Sequence, residues 1–183
     1  MISEAELTER CKRGDNAARK LLYETYASYL LGVCLRYVGN RNTAEDLLHD
    51  GFIKIFSHFD QFEYLHEGSL KSWMFKVQQN VVLQHLRKNI EWQDVVSLDK
   101  NEELTNIPEP ETVKDIPKRE LVRLIAELPD GYRTVFNMFV IDGLSHKEIA
   151  KTLGIQEKSS ASQLFRARKM LAERIIKWRN ENL

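Results

Sequence analysis

Long apolar runs are missing from this sequence: the most apolar stretch, Tyr29 to Val38, is interrupted by Arg36 and is too short to cross a bilayer. The opening residues, MISEAELTERCKRGD, are charged and lack the apolar core of a secretory signal. Membrane insertion is not expected, and the cytoplasm is the default compartment. Cysteine is nearly absent, with two residues in 183. Cys11 and Cys34 form no CxxC and no ligand grouping with the five histidines, so both read as small apolar fillers rather than a disulfide or a metal site. A glycine-rich phosphate loop, a supported Ser/His/Asp grouping and HExxH are also missing. No catalytic residue, metal or cofactor is expected, and the chain does not read as an enzyme. Net charge is absent too, with 27 basic and 27 acidic residues, so any pull toward nucleic acid must come from local crowding of charge.

What is present is helical periodicity, with no convincing period-two strand. Leu7 and Cys11 open a first amphipathic helix that Gly14 and Asp15 break. Ala17 to Val38 carries Leu21, Leu22, Tyr26, Tyr29, Leu30, Val33 and Tyr37 at three- and four-residue steps, which predicts a long helix with one buried face. After GNRN, Thr43 is the expected cap of a helix that turns Leu47, Leu48, Phe52, Ile55 and Phe56 inward. A looser DQFEYLHEGS precedes a further helix over Leu70 to Lys88.

From Glu91 to Lys118 the composition changes. Glu91, Asp94, Asp99, Glu102, Glu103, Glu109, Glu111 and Asp115 outnumber the lysines, and Pro108, Pro110 and Pro117 sit among them. Such a stretch predicts an extended acidic linker. Helices resume with Leu121, Leu124, Ile125 and Leu128 on one face, turn at LPDG, and continue through Val135, Phe136, Phe139 and Val140 to Asp142 and Gly143. The expected fold is all-α: two small helical domains, residues 1–92 and 118–183, joined by a flexible linker over 93–117.

The second domain ends in LSHKEIAKTLGIQEKSSASQLFRAR, Leu144 to Arg168. Ser145 and Glu148 form a capping box, Ile149 and Leu153 give an apolar stripe, and Gly154 supplies the left-handed stop. The pattern predicts a helix-turn-helix. Basic Lys147, Lys151, Lys158, Arg166, Arg168, Lys169, Arg174, Lys177 and Arg179 face only Glu148, Glu157 and Glu173 between Leu144 and Arg179. Ser159, Ser160, Ser162 and Gln163 at the start of the second helix are short or hydrogen-bonding, which suits close approach to bases, while Lys147, Lys158, Arg166, Arg168 and Lys169 suit phosphates. The plainer alternative is a helical hairpin with a solvated basic face.

Two further groupings stand out. Glu45, Asp46, His49, Asp50 and Lys54 share the helix after Thr43, at spacings that put several on one face. They can be a protein-docking surface, a solvated face, or half of a metal-carboxylate site, although the matching Glu-x-x-His on a second helix is missing. In SLKSWMFKVQQNVVLQHLRKN, Ser69 to Asn89, the aromatics Trp73 and Phe75 interleave with Lys71, Lys76, Arg87 and Lys88 and with Asn80 and Gln84, a mixture that can hold unpaired nucleotides. Trp73 can equally be core.

Four segments in order, AEDLLHDGFIKIF, SLKSWMFKVQQNVVLQHLRKN, LPDGYRTVFNMFVIDGLSHKEIAKTLGI and SQLFRARKML, make the chain resemble the RNA polymerase sigma factors of the extracytoplasmic-function group of the sigma-70 family. The resemblance implies a transcription initiation factor that binds core RNA polymerase and promoter DNA. By the same likeness Glu45 to Lys54 dock on the clamp of the largest polymerase subunit. Phe59 to Lys88 recognise and melt the minus-ten element, with a flipped base held by the loop and the start of the helix; the helix-turn-helix reads the minus-thirty-five element, and the acidic linker threads through the polymerase. An anti-sigma factor is a further partner the group leaves room for. The chain departs from the group where Gln79, Asn80 and Gln84 replace an Arg-Asn pair and a later Asp, and where Ser160 and Ala161 replace a Val-Lys pair. Two readings of other classes remain: a homodimeric helix-turn-helix regulator acting without polymerase, and a helical metal-carboxylate enzyme.

Overall fold

The computed structural model describes residues 2–89 and 116–182. The acidic segment expected over 93–117 therefore lies outside the described residues except for Ile116 and Pro117. The chain divides into two compact units, Met1–His85 and Leu86–Leu183. Among the described residues all regular structure is helical, as the periodicity predicts.

The first unit contains α1 (Glu4–Lys12), α2 (Asn16–Val38), α3 (Arg41–Ser57), a 3-10 turn (Phe59–Gln61) and most of α4 (Ser69–Asn89). Asp15 starts α2: its Oδ1 accepts from the amides of Ala17 and Ala18 at 2.9 and 3.1 Å, and its other oxygen pairs with Arg10 at 2.8 Å. The neighbouring guanidinium and these amides hold the Asp15 carboxyl below its usual range, the Ala18 amide contributing most. Gly39, at φ 68°, closes α2 in the left-handed conformation.

Thr43 does not cap α3. Asn40 does, with extended backbone and its Oδ1 accepting from the Thr43 amide at 3.0 Å, so the helix begins at Arg41. Thr43 sits one turn inside and hydrogen-bonds through its own hydroxyl to the same oxygen.

Leu22, Leu30, Cys34, Tyr37, Ile55, Phe59, Leu70, Met74 and Val82 form the buried centre. Two expected members of the α2 face stay out: Leu21 is 38% and Tyr29 40% exposed. The stripe from Leu22 through Leu30, Val33 and Tyr37 already fills the contact, and Tyr29 turns instead toward Lys71 of α4, whose Nζ stands 4.4 Å from the ring centroid.

A buried polar tie joins α2, α3 and α4. Gln78 is fully buried, and its Nε2 donates to the Leu47 carbonyl at 2.8 Å and to Cys34 Sγ at 3.1 Å. Room for it exists because residue 51 is glycine: a Cβ there would lie 1.8 Å from Gln78 Oε1. Burial pushes the Cys34 thiol up to about 12 despite the Gln78 hydrogen bond, and burial raises Cys11 as well. Both cysteines are free and buried, as fillers should be.

The second unit carries α5 (Lys118–Ala126), α6 (Asp130–Phe136), a π turn (Asn137–Ile141), α7 (His146–Leu153) and α8 (Glu157–Asn182). The helix expected after LPDG starts inside that motif, with Pro129 as the preceding extended residue, and its α part stops at Phe136. Buried Asn137 explains the widening: its side-chain amide donates to the Arg133 carbonyl at 2.9 Å and competes there with the backbone. Arg133, which the sequence reading passed over, is buried. Its Nη1 donates to the carbonyls of Ala126 and Leu128, both at 2.7 Å, and Nη2 pairs with Asp130. One guanidinium thus closes the C-terminus of α5 and fastens α6 beneath it.

Candidate nucleic-acid interface

The helix pair forms as its sequence predicts. Ser145 Oγ accepts from the Glu148 amide, Glu148 reaches back to the Ser145 amide at 2.8 Å, and Gly154 ends α7 at φ 73°. Hydrogen bonds from Ser145 hold the Glu148 carboxyl below its ordinary range. Ile149, Ala150 and Leu153 are buried against α8.

The rotation of α8 corrects part of the expected base-reading set. Ser160, Ser162 and Gln163 are buried, at 0, 6 and 3% exposure. A helix turns about 100° per residue, and the stripe through Ser160, Gln163, Leu164, Ala167, Leu171 and Ile175 faces the core of the unit. Small polar side chains here allow close packing of helices. The opposite stripe is the accessible one: Lys158, Ala161 and Lys169 are exposed, and Phe165 and Arg168 are half-buried. Ser159 is half-buried beside it, and Lys147 is exposed on the first turn of α7. Phe165 was missed by the sequence reading because Leu164 beside it claimed the apolar position. Its signal was its phase, seven residues after Lys158.

Packing orders the cations around this surface. Arg168 lies over the Phe139 ring at 5.7 Å, and Phe139 stacks on His146 with centroids 4.6 Å apart. His146 Nδ1 stands 3.0 Å from Ser160 Oγ. Burial lowers the His146 pKa, Glu157 opposes the shift, and Arg168 adds to it. Arg166 is half-buried, with Nη1 3.5 Å from the Tyr132 hydroxyl.

On α4, Lys76, Asn80, Gln84, Arg87 and Lys88 are exposed. Steps of three and four keep Lys76, Asn80, Gln84 and Arg87 on one face, with Lys88 at its edge. Lys71 departs from the row: nine residues before Asn80, it points to the opposite side of the helix, onto Tyr29. Trp73 is half-buried at the head of the row, with Phe59 and Phe62 centroids at 5.6 and 5.0 Å. It is thus both core and surface. Lys54 reaches over from α3 and donates to Gln84 Oε1 at 2.9 Å.

On α3, Asp46, His49 and Asp50 are exposed, while Glu45 is half-buried and paired with Arg41 at 2.8 Å. Ile53, absent from the sequence-based list, is 66% exposed one turn beyond His49 and Asp50. A groove of about 220 Å³ opens beside Glu45 and His49, lined also by Tyr23, Ala27, Ser28, Leu31 and Leu48. Among the described residues no group of acids, histidines and cysteines is arranged to hold a metal ion, and no helix is long and apolar enough to cross a membrane.

Residues 22–90 match the family described as Sigma-70 region 2, and residues 118–171 match Sigma-70, region 4. The acidic α3, the polar row of α4 and the helix-turn-helix all fall within these matches. The chain belongs to the sigma-70 family of RNA polymerase sigma factors.

Its relatives place it in the extracytoplasmic-function (ECF) group. The ECF RNA polymerase sigma-E factor of Haemophilus influenzae is 26% identical over 186 residues, covering 95% of this chain and 96% of the relative. The ECF RNA polymerase sigma factor SigM of Bacillus subtilis is 28% identical, covering 82% and 90%. A solved structure of the sigma factor RpoE in complex with the anti-sigma factor NepR, from Bartonella quintana, is 22% identical at a TM-score of 0.49, covering 86% of this chain and 96% of that one. The protein is a promoter-directing transcription initiation factor, and its family is one of transcription factors rather than enzymes.

Proposed function

We propose that the three surfaces divide the work of promoter recognition. The α3 face of Glu45, Asp46, His49, Asp50 and Lys54 docks on core polymerase, with Ile53 as its apolar centre. The α4 row of Lys76, Asn80, Gln84, Arg87 and Lys88, headed by Trp73, meets the minus-ten element as it opens. The helix-turn-helix meets the minus-thirty-five element through Lys158, Ser159, Ala161, Phe165 and Lys169, and Lys147, Arg166 and Arg168 hold phosphates. Lys71, on the far side of α4 against Tyr29, ties α4 to α2 rather than touching the minus-ten element, and Ser160, Ser162 and Gln163 act by packing α8 rather than by touching bases. On this reading the domains are residues 1–92 and 118–183, with 93–117 as the connection. The chain has no reaction of its own and works in the cytoplasm, where polymerase and chromosome are. An anti-sigma factor would silence it by covering the α3 or α4 surface.

The observation that carries this reading is the exposure of Asp46, His49, Asp50 and Ile53 on one face of α3. A solitary DNA-binding dimer has no need of an acidic face so close to a nucleic-acid row, since like charges repel the phosphates. A complementary basic partner surface supplies the need. Replacing Asp46 and Asp50 by Lys in the full chain should abolish co-purification with core polymerase while leaving helicity and duplex DNA binding intact. Unimpaired polymerase binding by that variant would reject the assignment of α3.

A further inference from the structure

Glu4 lies in the first turn of α1, more than sixty residues from the start of α4, yet its carboxylate sits on that helix's open end. One oxygen accepts from the amides of Gly68 and Leu70 at 3.0 and 3.1 Å, and the other accepts from the Gly68 amide at 3.1 Å. The first amides of a helix have no partner within it, and a carboxylate is the group best suited to receive them. A third helix joins: the Tyr26 hydroxyl of α2 donates to Glu4 as well, and its pKa is raised by burial first and by the Glu4 charge second. Glu4 therefore connects α1, α2 and the loop-to-α4 junction.

What this junction presents is the loop before α4. Leu65 is 74% exposed, and His66 and Glu67 are exposed beside it. The remaining ties of the loop are local: the Leu65 amide donates to Ser69 Oγ at 3.4 Å, the Ser69 amide to the His66 carbonyl at 3.0 Å, and the Ser72 hydroxyl to the Gly68 carbonyl at 3.0 Å. These bonds fix the loop's shape; Phe62, packed on Phe59 and Trp73, holds its entry to the unit, and the Glu4 carboxylate holds its exit into α4. Gly68, at φ 88°, is the pivot, and the Glu4 carboxylate grips the amide of that pivot.

We propose that Glu4 is a positioning residue for promoter opening: it sets the height and angle at which the Tyr64–Glu67 loop and the first turns of α4 meet the nontemplate strand. This inference rests on the assignment of the loop and α4 to the minus-ten element. Glu4 touches no DNA itself. Its removal releases a pivot, so the loop and helix start still form but no longer hold one pose, and a displacement of about 1 Å at a reacting surface costs one to two orders of magnitude in rate.

The test uses the full chain with core polymerase on a promoter selected by the unmodified protein from a randomised library. It compares the fully paired promoter with one whose minus-ten segment is pre-opened by mismatches. Glu4→Ala should open the paired promoter about ten-fold more slowly, read by permanganate reactivity of thymines, while the pre-opened template restores the normal rate and polymerase affinity is unchanged. Glu4→Gln, which keeps an acceptor oxygen without the charge, should fall between. Equal slowing on both templates, or normal opening of the paired one, overturns the proposal. If Glu4→Ala fails to fold, Glu4→Gln and Glu4→Asp carry the same comparison. Asn80→Ala serves as the control for the parent assignment: if it opens the paired promoter normally, the minus-ten face is misassigned, whereas slow opening by Asn80→Ala with normal opening by Glu4→Ala rejects the Glu4 proposal alone.

Discussion

Substituting Gly51 by alanine tests how closely the first unit is packed. The added methyl would lie 1.8 Å from Gln78 Oε1, 2.5 Å from its amide carbon and 2.8 Å from Nε2. Gln78 has nowhere to go: it is fully buried and tied to the Leu47 carbonyl and to Cys34 Sγ. Either those hydrogen bonds break, at about 1 kcal/mol each, or α3 moves away from α4, and overpacking of this kind costs about 1–3 kcal/mol. Alanine returns up to about 1 kcal/mol of helix propensity over glycine. The balance is a loss of about 1–2 kcal/mol. For a unit of this size that lowers the melting temperature by roughly 5–15 °C, at about 4–8 °C per kcal/mol.

Urea unfolding followed by circular dichroism gives the magnitude, and hydrogen exchange of the α3 amides assigns it to the first unit. The pair Gly51→Ala and Gln78→Ala completes a double-mutant cycle in which the double variant should recover at least about 1 kcal/mol relative to the sum of the single losses. A Gly51→Ala chain as stable as the original would refute the reasoning, because propensity would then have won over the clash. The consequence reaches the proposed function, since Gly51 directly follows Asp50 and any shift of α3 moves the proposed docking face with it.

Three further outcomes follow from burial and charge in the two units. Because Cys34 is pushed up to about 12 and Cys11 is also raised by burial, neither thiol should react with a disulfide reagent at pH 8 in the folded chain, and both should react in urea; rapid native reaction would mean the core is open. Burial depresses His146, so the second unit prefers the neutral imidazole: its contribution is full above the ordinary histidine value of 6.5 and is lost as pH falls below that toward the lowered folded value. His146→Phe should remove this acid-side loss in urea titrations at pH 7.5 and 5.5, and an unchanged pH slope would contradict it. On α8, Arg166→Ala should weaken promoter binding across sequences and reduce the salt slope by about one, Ala161→Lys should change upstream-element preference, and Ser160→Val should cost stability while leaving preference alone; altered preference from Ser160→Val would return that residue to the reading surface.

Periodicity made the helices of both units legible, and the capping box at Ser145 with Gly154 marked the ends of α7. The acidic, proline-bearing stretch that composition marks as a linker lies outside the described residues, apart from Ile116 and Pro117. What stayed hidden was set by tertiary contact. Asn40 displaced Thr43 as a cap because the choice depends on backbone angles, which two capping-type residues three positions apart leave open. Tyr29 left the core for a cation that lies more than forty residues on. Ser160, Ser162 and Gln163 look like surface residues by chemistry, and only the phase of α8 against α6 and α7 turns them inward while exposing Ala161 and leaving Phe165 half-buried. Gln78 and Glu4 carried no local signal because their partners lie on other elements, and the Asp130–Arg133 spacing gave no hint that the guanidinium also reaches the Ala126 and Leu128 carbonyls.

The central claim is that this chain confers promoter choice on a polymerase that lacks it. The most direct measurement is run-off transcription by core RNA polymerase on a genomic promoter library, with and without the purified chain. Initiation at a discrete set of promoters sharing minus-ten and minus-thirty-five elements, seen only when the chain is present, is the predicted result. Tight binding to duplex sites by the chain alone, with no core binding and no new start sites, would contradict it and favour a homodimeric regulator.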